Sequence, residues 1–195
     1  MPRTLEFDRS QALNAAMKLF WARGYTATSL PELLLAMGIS RSSFYASFHT
    51  KRDLFIECLV LFGDRTLAIV EGELQTQSPL ELPRAFFVAT LLDVSARKAK
   101  QGCMMVNTVL ELADIDPPLN RLASKQLRAI ESAFARSFTL AQKNGELDAG
   151  LCADELAARV MTINLGLRVQ SRLCKSQKEL EPMIESSLSM LGLAA

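Results

Sequence analysis

Apolar residues recur along this chain at intervals of three and four from end to end, and short polar breaks separate the runs. Leu13, Ala16, Met17 and Phe20 share one face of a first helix predicted over residues 5–23, with Gly24 as its stop. Leu30, Leu33, Leu34 and Met37 share a face of a second, shorter helix. A long helix is expected over 51–74, and others over 82–100, 103–113, 118–143, 153–172 and 177–191. Their punctuation is the 75–79 segment, Gly102, Asp116-Pro117-Pro118, Asn144-Gly145 and Lys175-Ser176. Strand alternation, internal repeats and low-complexity tracts are absent, so the predicted fold class is all-α.

The stretch LPELLLAMGISRSSFYASFHTKRDLF, residues 30–55, carries the densest local signals. Ser29-Leu30-Pro31-Glu32 reads as a capping-box start with proline in the first turn. Gly38 suits the left-handed end of that helix, and Ser40 suits the cap of the next. Between Ser40 and Phe48 only Phe44 and Phe48 are placed to anchor a core, which leaves Arg41, Ser42, Ser43, Tyr45 and Ser47 facing outward. Thr50-Lys51-Arg52-Asp53 then starts the long helix with cations in its first turn. Short hydroxyls and an arginine on a narrowly anchored helix suit a helix-turn-helix that reads a DNA major groove. A surface helical hairpin with a solvated charge fits the same pattern.

The segment 12–55, with Ala12-Leu13, Ala16, Leu19-Phe20, Gly24-Tyr25, Thr28-Ser29, Met37-Gly38-Ile39-Ser40, Phe44-Tyr45, Phe48 and Lys51, resembles the N-terminal domain of TetR/AcrR-family transcriptional regulators. The resemblance implies a three-helix DNA-binding domain over residues 1–52 and a helical effector-binding and dimerisation domain over 53–195. It also implies that Thr28, Tyr45 and Lys51 touch phosphates and that Arg41, Ser42 and Ser43 face bases. Ser40 and His49 complete the candidate DNA-binding set. Before the first helix only Arg3 and Arg9 supply the basic arm that the family usually carries.

Charge agrees with this division. The chain has 195 residues, 49% hydrophobic, and a net charge of only +1, too little to coat nucleic acid indiscriminately. Residues 1–52 hold seven Lys or Arg (Arg3, Arg9, Lys18, Arg23, Arg41, Lys51, Arg52) against Glu6, Asp8 and Glu32, a balance of +4 that leaves −3 for the rest. Cys58, Cys103, Cys152 and Cys174 are scattered without a CxxC or a neighbouring histidine, which points away from zinc and from a disulfide framework. With no clean apolar run to span a bilayer and no signal-peptide pattern, a cytoplasmic protein is expected.

Two apolar faces lie near the C-terminus: Leu156, Val160, Ile163 and Leu167, and Leu180, Met183, Ile184, Ser187, Leu188 and Leu191. Periodicity allows these to be bundle core or an association face. The resemblance implies a dimer through the final two long helices, which suits two-fold reading of a palindromic operator on double-stranded DNA. Between these ends, Phe87, Leu91, Phe134, Phe138 and Met161 are candidate linings for a pocket holding an unidentified small-molecule effector. Asn107, Asn164 and Arg168 are polar residues amid apolar helices, available to a ligand or to a dimer interface. Cys103, after Gly102 at a predicted helix start and beside Arg97, Lys98 and Lys100, is either packing or a redox- or electrophile-sensing thiol. No acid–base or nucleophile set with suggestive spacing is visible, so neither an enzyme nor a cofactor is expected. The function expected is a ligand-released transcriptional repressor. The alternatives are a thiol sensor and a helical small-molecule-binding protein that no longer binds DNA.

Overall fold

The computed structural model describes residues 7–76 and 78–193, and every regular element among them is helical. The α-helices are α1 (Arg9–Arg23), α2 (Leu30–Met37), α3 (Arg41–Phe48), α4 (Lys51–Thr76), α5 (Leu82–Phe87), α6 (Ala96–Lys100), α7 (Met104–Leu112), α8 (Pro117–Lys143), α9 (Ala153–Leu173) and α10 (Leu180–Ser189). Val88–Leu92 continues α5 as a π-helix, and Gln177–Glu179 leads into α10 as a 3₁₀ turn. Packing divides the chain into two compact units. One runs through Gly63 and takes in Cys103–Ser124; the other comprises Asp64–Gly102 and everything from Lys125 onward. A division after residue 52 therefore leaves out the first turns of α4 and all of α7, which pack with the N-terminal helices.

The first unit is built from local stop and start signals around an aromatic core. Asp8 caps α1 by accepting from Ser10 N–H (2.8 Å) and Gln11 N–H (3.1 Å). The Ser10 hydroxyl, foremost among these donors, holds the Asp8 carboxyl below its usual range. Ser29 and Glu32 form the expected capping box on α2. Ser29's hydroxyl and N–H, then Arg23, pull the Glu32 pKa down to about 2. Ala12, Ala16, Met17 and Phe20 of α1 are buried with Leu33, Met37, Phe44, Phe48, Leu54, Phe55, Cys58 and Leu59. Phe20 meets Phe55 edge-on at 4.9 Å, a favoured aromatic geometry.

The later segment joins this unit through two carboxylates. Asp116 accepts both Arg52 Nε (2.8 Å) and Arg52 Nη2 (3.0 Å), and also caps α8 through Leu119 N–H (3.0 Å). Glu111 of α7 accepts from Tyr25 N–H (3.0 Å) and Thr26 N–H (2.6 Å) in the turn after α1.

In the second unit, the helix expected over 82–100 is broken. The π-helix and the bend at Asp93–Ser95 strand carbonyls that a regular helix would have satisfied. Gln177 Nε2 takes three of them, at Leu91 (2.7 Å), Leu92 (3.2 Å) and Val94 (2.8 Å). No glycine or proline between 88 and 95 announces the break. Phe86 and Phe134 meet edge-on at 5.4 Å in the core beneath α5 and α8.

Six residues of the apolar faces of α9 and α10 also require correction, whereas Ile163, Met183, Ser187 and Leu191 stay at least partly exposed. Leu156, Val160, Leu167, Leu180, Ile184 and Leu188 are at most 4% exposed within the single chain, so they are bundle core and not an outer association face. Burial follows because α9 and α10 pack on each other and on α5 and α6. Arg168 likewise turns inward. Its guanidinium donates to Asn164 Oδ1 (3.1 Å), the Thr90 carbonyl (3.1 Å) and Thr90 Oγ1 (2.7 Å), which removes it from an intermolecular role. Its bonds explain how a charged group sits at 7% exposure.

Two outcomes test the first unit. Gly24 has φ +84° and ψ 175°, a region essentially restricted to glycine, and a Cβ there would lie 2.6 Å from Glu111 Oε2. Gly24→Ala is expected to cost about 3 kcal/mol, against about 1 kcal/mol for Gly38→Ala, whose φ is +66° and whose surroundings are open. Denaturant midpoints of the two variants check the order. For Glu32, a folded-state pKa below the unfolded one gives stability that is present above about pH 4.5 and lost as pH falls toward about 2. Glu32→Gln keeps the cap shape, so its melting temperature should lie below the parent's at pH 7 and converge with it across that window. A constant difference down to pH 2 would contradict the assignment.

Candidate nucleic-acid interface

α2 and α3 meet at a tight turn fixed by backbone geometry. Gly38 adopts the left-handed conformation (φ 66°, ψ 32°), and Ile39 N–H reaches back to the Leu34 carbonyl at 3.2 Å. Ser40 caps α3 by accepting from Ser43 N–H at 3.1 Å. Its Oγ also lies 2.9 Å from both Ser42 Oγ and Ser43 Oγ, which gathers three hydroxyls at the helix start. Phe44 and Phe48 are buried, as their spacing predicts, at 0% and 1% exposure.

The outer face of α3 is polar. Arg41 and Ser42 are exposed, Tyr45 is 48% exposed, and Ser43 is half-buried by its bonds to the cap. Among the described residues no hydrogen bond or ion pair engages the Arg41 guanidinium. His49 ends the helix at φ 59° and ψ −64°, and Thr50 N–H closes a three-residue turn to the Phe48 carbonyl at 2.7 Å. That is the one positive-φ residue other than glycine among those described, and such backbone strain clusters at functional sites.

α4 begins beside this turn. Thr50 Oγ1 accepts from Asp53 N–H at 3.0 Å and donates to Asp53 Oδ2 at 2.6 Å. Lys51 and Arg52 occupy the first helical positions, where the peptide dipoles oppose positive charge. Arg52 is paired with Asp116, whereas the Lys51 ammonium lies 4.4 Å from the Tyr25 ring centroid. Partial burial lowers the Lys51 pKa, and the Glu111 carboxylate opposes this only in part.

Two expectations for this surface fail. Thr28 is fully buried with its hydroxyl donated to the Gly24 carbonyl at 2.6 Å, so no phosphate reaches its side chain. It precedes the cap Ser29, and its side chain closes the α1–α2 turn. Arg9 is no loose arm: it opens α1, contacts both Glu57 oxygens at 2.8 Å and lies over the Phe48 ring at 4.5 Å. Arg3 lies outside the described residues. The sequence assigns no binding role to Tyr25, which enters only as part of the resemblance, or to Glu111, because an aromatic beside a helix stop and a glutamate on a later helix read as core and solvated surface.

The candidate effector residues divide between the units. Cys103, 5% exposed, and half-buried Asn107 belong to the first. Phe87, Leu91, Phe134, Phe138, Met161, Asn164 and Arg168 are buried in the second. Among the described residues no group of three or more His, Cys, Asp or Glu is placed to hold a metal ion, and no helix is long and apolar enough to cross a membrane.

Comparison with known proteins matches residues 12–58 to the model for bacterial regulatory proteins of the tetR family and residues 81–186 to the tetracyclin repressor-like C-terminal domain. The HTH-type transcriptional regulator YezE of Bacillus subtilis is 32% identical, over 98% of this chain and 100% of that protein. The HTH-type transcriptional repressor ComR of Escherichia coli is 30% identical, over 94% of this chain and 89% of that protein. Among solved structures, a cysteine mutant of the TetR-family regulator CifR complexed with 26-base-pair operator DNA superposes with TM-score 0.83 at 27% identity, covering 97% of this chain and 98% of that one. Both family models, these relatives and the helix-turn-helix geometry together make the chain a member of the TetR family of transcriptional regulators.

Proposed function

We propose that this regulator binds a palindromic operator as a homodimer, with α3 in the major groove, and that a small-molecule effector held by the buried helices of the second unit releases it. The carrying observation is the outer face of α3: an unengaged arginine, clustered hydroxyls and a half-exposed tyrosine on a helix whose buried side consists of two phenylalanines. Arg41 and Ser42 face base edges, Tyr45 and Lys51 take phosphates, and Ser40, Ser43 and His49 shape the helix ends. The ComR name supports repression, and the CifR complex supports an operator as the partner. Such a protein works in the cytoplasm, on DNA, without catalysis. Burial of Cys103 favours a packing role over thiol sensing.

The dimer face of this reading is the side of α9 and α10 that the chain leaves uncovered. Gly166 and Gln170 line a shallow groove there with Ile163, Pro182, Met183 and Ser186. Val169 and Leu173 of α9, and Met190 just after α10, are exposed as well. The effector needs only to prefer the conformation that does not fit the operator.

Arg41→Ala is expected to weaken binding to an operator selected from random DNA by ~1–3 kcal/mol and to relax one base position in each half-site. Lys51→Ala should weaken all sequences alike and make the salt dependence shallower. Parent-like binding by both variants would sink the helix-turn-helix reading. Met183→Glu should produce folded monomers in sedimentation with little operator affinity. Leu188→Glu, which puts charge into the core, should instead unfold the protein. A dimeric Met183→Glu protein would place the interface elsewhere.

A further inference from the structure

Lys51, Tyr25 and Glu111 are far apart in sequence and meet at the start of α4 within the first unit. The Tyr25 ring is packed at 6.2 Å from Phe20 and 4.8 Å from Phe55, and the Lys51 ammonium lies over it at 4.4 Å. The backbone of the same turn is pinned by the Glu111 carboxylate through the N–H groups of Tyr25 (3.0 Å) and Thr26 (2.6 Å). Glu111 approaches this closely because residue 24 lacks a side chain.

A lysine in the first turn of a helix faces two difficulties as a phosphate contact. Its four-carbon stem loses rotamer freedom on binding, and the helix dipole drives its charge away from the N-terminus. An aromatic face beneath the ammonium and a carboxylate nearby counter both before DNA arrives. We propose that Tyr25 and Glu111 are positioning residues for the Lys51 ammonium, which makes α7, a helix of the C-terminal family model, part of the DNA-binding machinery. The inference rests on the reading of Lys51 as a phosphate contact.

The test is a set of double-mutant cycles on the full-length protein, with the operator selected from random DNA and affinity followed against salt. Tyr25→Phe keeps the ring and should bind like the parent. Tyr25→Leu should weaken binding about three- to tenfold, the range of a partly desolvated cation–π contact. Glu111→Gln, which loosens the turn that carries the ring, should weaken it as well. Both losses should vanish in a Lys51→Ala background, where the salt slope has already become shallower by about one per lost phosphate contact. Equal losses with and without Lys51, or no loss at all, would overturn the proposal. If Glu111→Gln proves too unstable to assay, the Tyr25→Phe and Tyr25→Leu pair against Lys51→Ala decides alone. A parent that shows no salt-dependent binding to any DNA removes the functional reading and this inference together. A parent that binds while the cycles show no coupling removes this inference only.

Discussion

An eight-residue helix with a polar outer face does not hold its shape in water, because nucleation costs more than so few backbone bonds return. α3 exists because Phe44 and Phe48 are buried, each burial contributing about 1.5–3 kcal/mol. Everything that α3 presents outward, from Arg41 to Tyr45, is oriented by those two anchors. The surrounding caps and turns have one shared effect: they leave the helix a single seat. Gly38 sets its entry angle, Ser40 closes its first turn, and the His49 turn sends the chain directly into α4.

Electrostatics around that seat runs against helix preference at the start of α4. Lys51 and Arg52 sit where a helix disfavours cations. Arg52 is neutralised by Asp116, and its side chain ties α4 to the α7–α8 turn. Lys51 is steadied by a ring and left with hydrogen-bonding capacity toward solvent. Two adjacent residues of like charge are therefore held differently, Arg52 by an ion pair and Lys51 by an aromatic face.

Much of this was legible in the sequence. The capping box on α2, the left-handed Gly38, the Ser40 cap and the buried Phe44 and Phe48 are all consequences of local chemistry within a few residues. Thr28 apart, whose partner is only four residues back, the expectations that fail involve partners far away along the chain. Thr28 reads as a surface hydroxyl until the α1–α2 turn folds its oxygen onto Gly24. The stripes of α9 and α10 have the correct period, but most of their residues turn into the bundle and leave Ile163, Met183 and Ser187 at the surface, since a bundle helix with neighbours on two sides shows apolar residues on more than one face. The π-helix after Phe87 has no residue signature at all; its stranded carbonyls are met by Gln177, some eighty-five positions later. Glu111 is of the same kind, a charged residue whose role depends on a partner turn 85 and 86 positions before it.

The discontinuous makeup of the first unit has a consequence for biosynthesis. Its helices α1 to α3 leave the ribosome early, but the carboxylate that pins the turn after α1 is synthesised 86 residues behind Tyr25. At ~5–20 residues per second that interval is roughly four to seventeen seconds. During it, the backbone donors of Tyr25 and Thr26 are met by water and the apolar surface that α7 covers is bare. The nascent N-terminal module thus waits as a partly finished domain, within reach of chaperones and proteases, until the helix that completes it emerges.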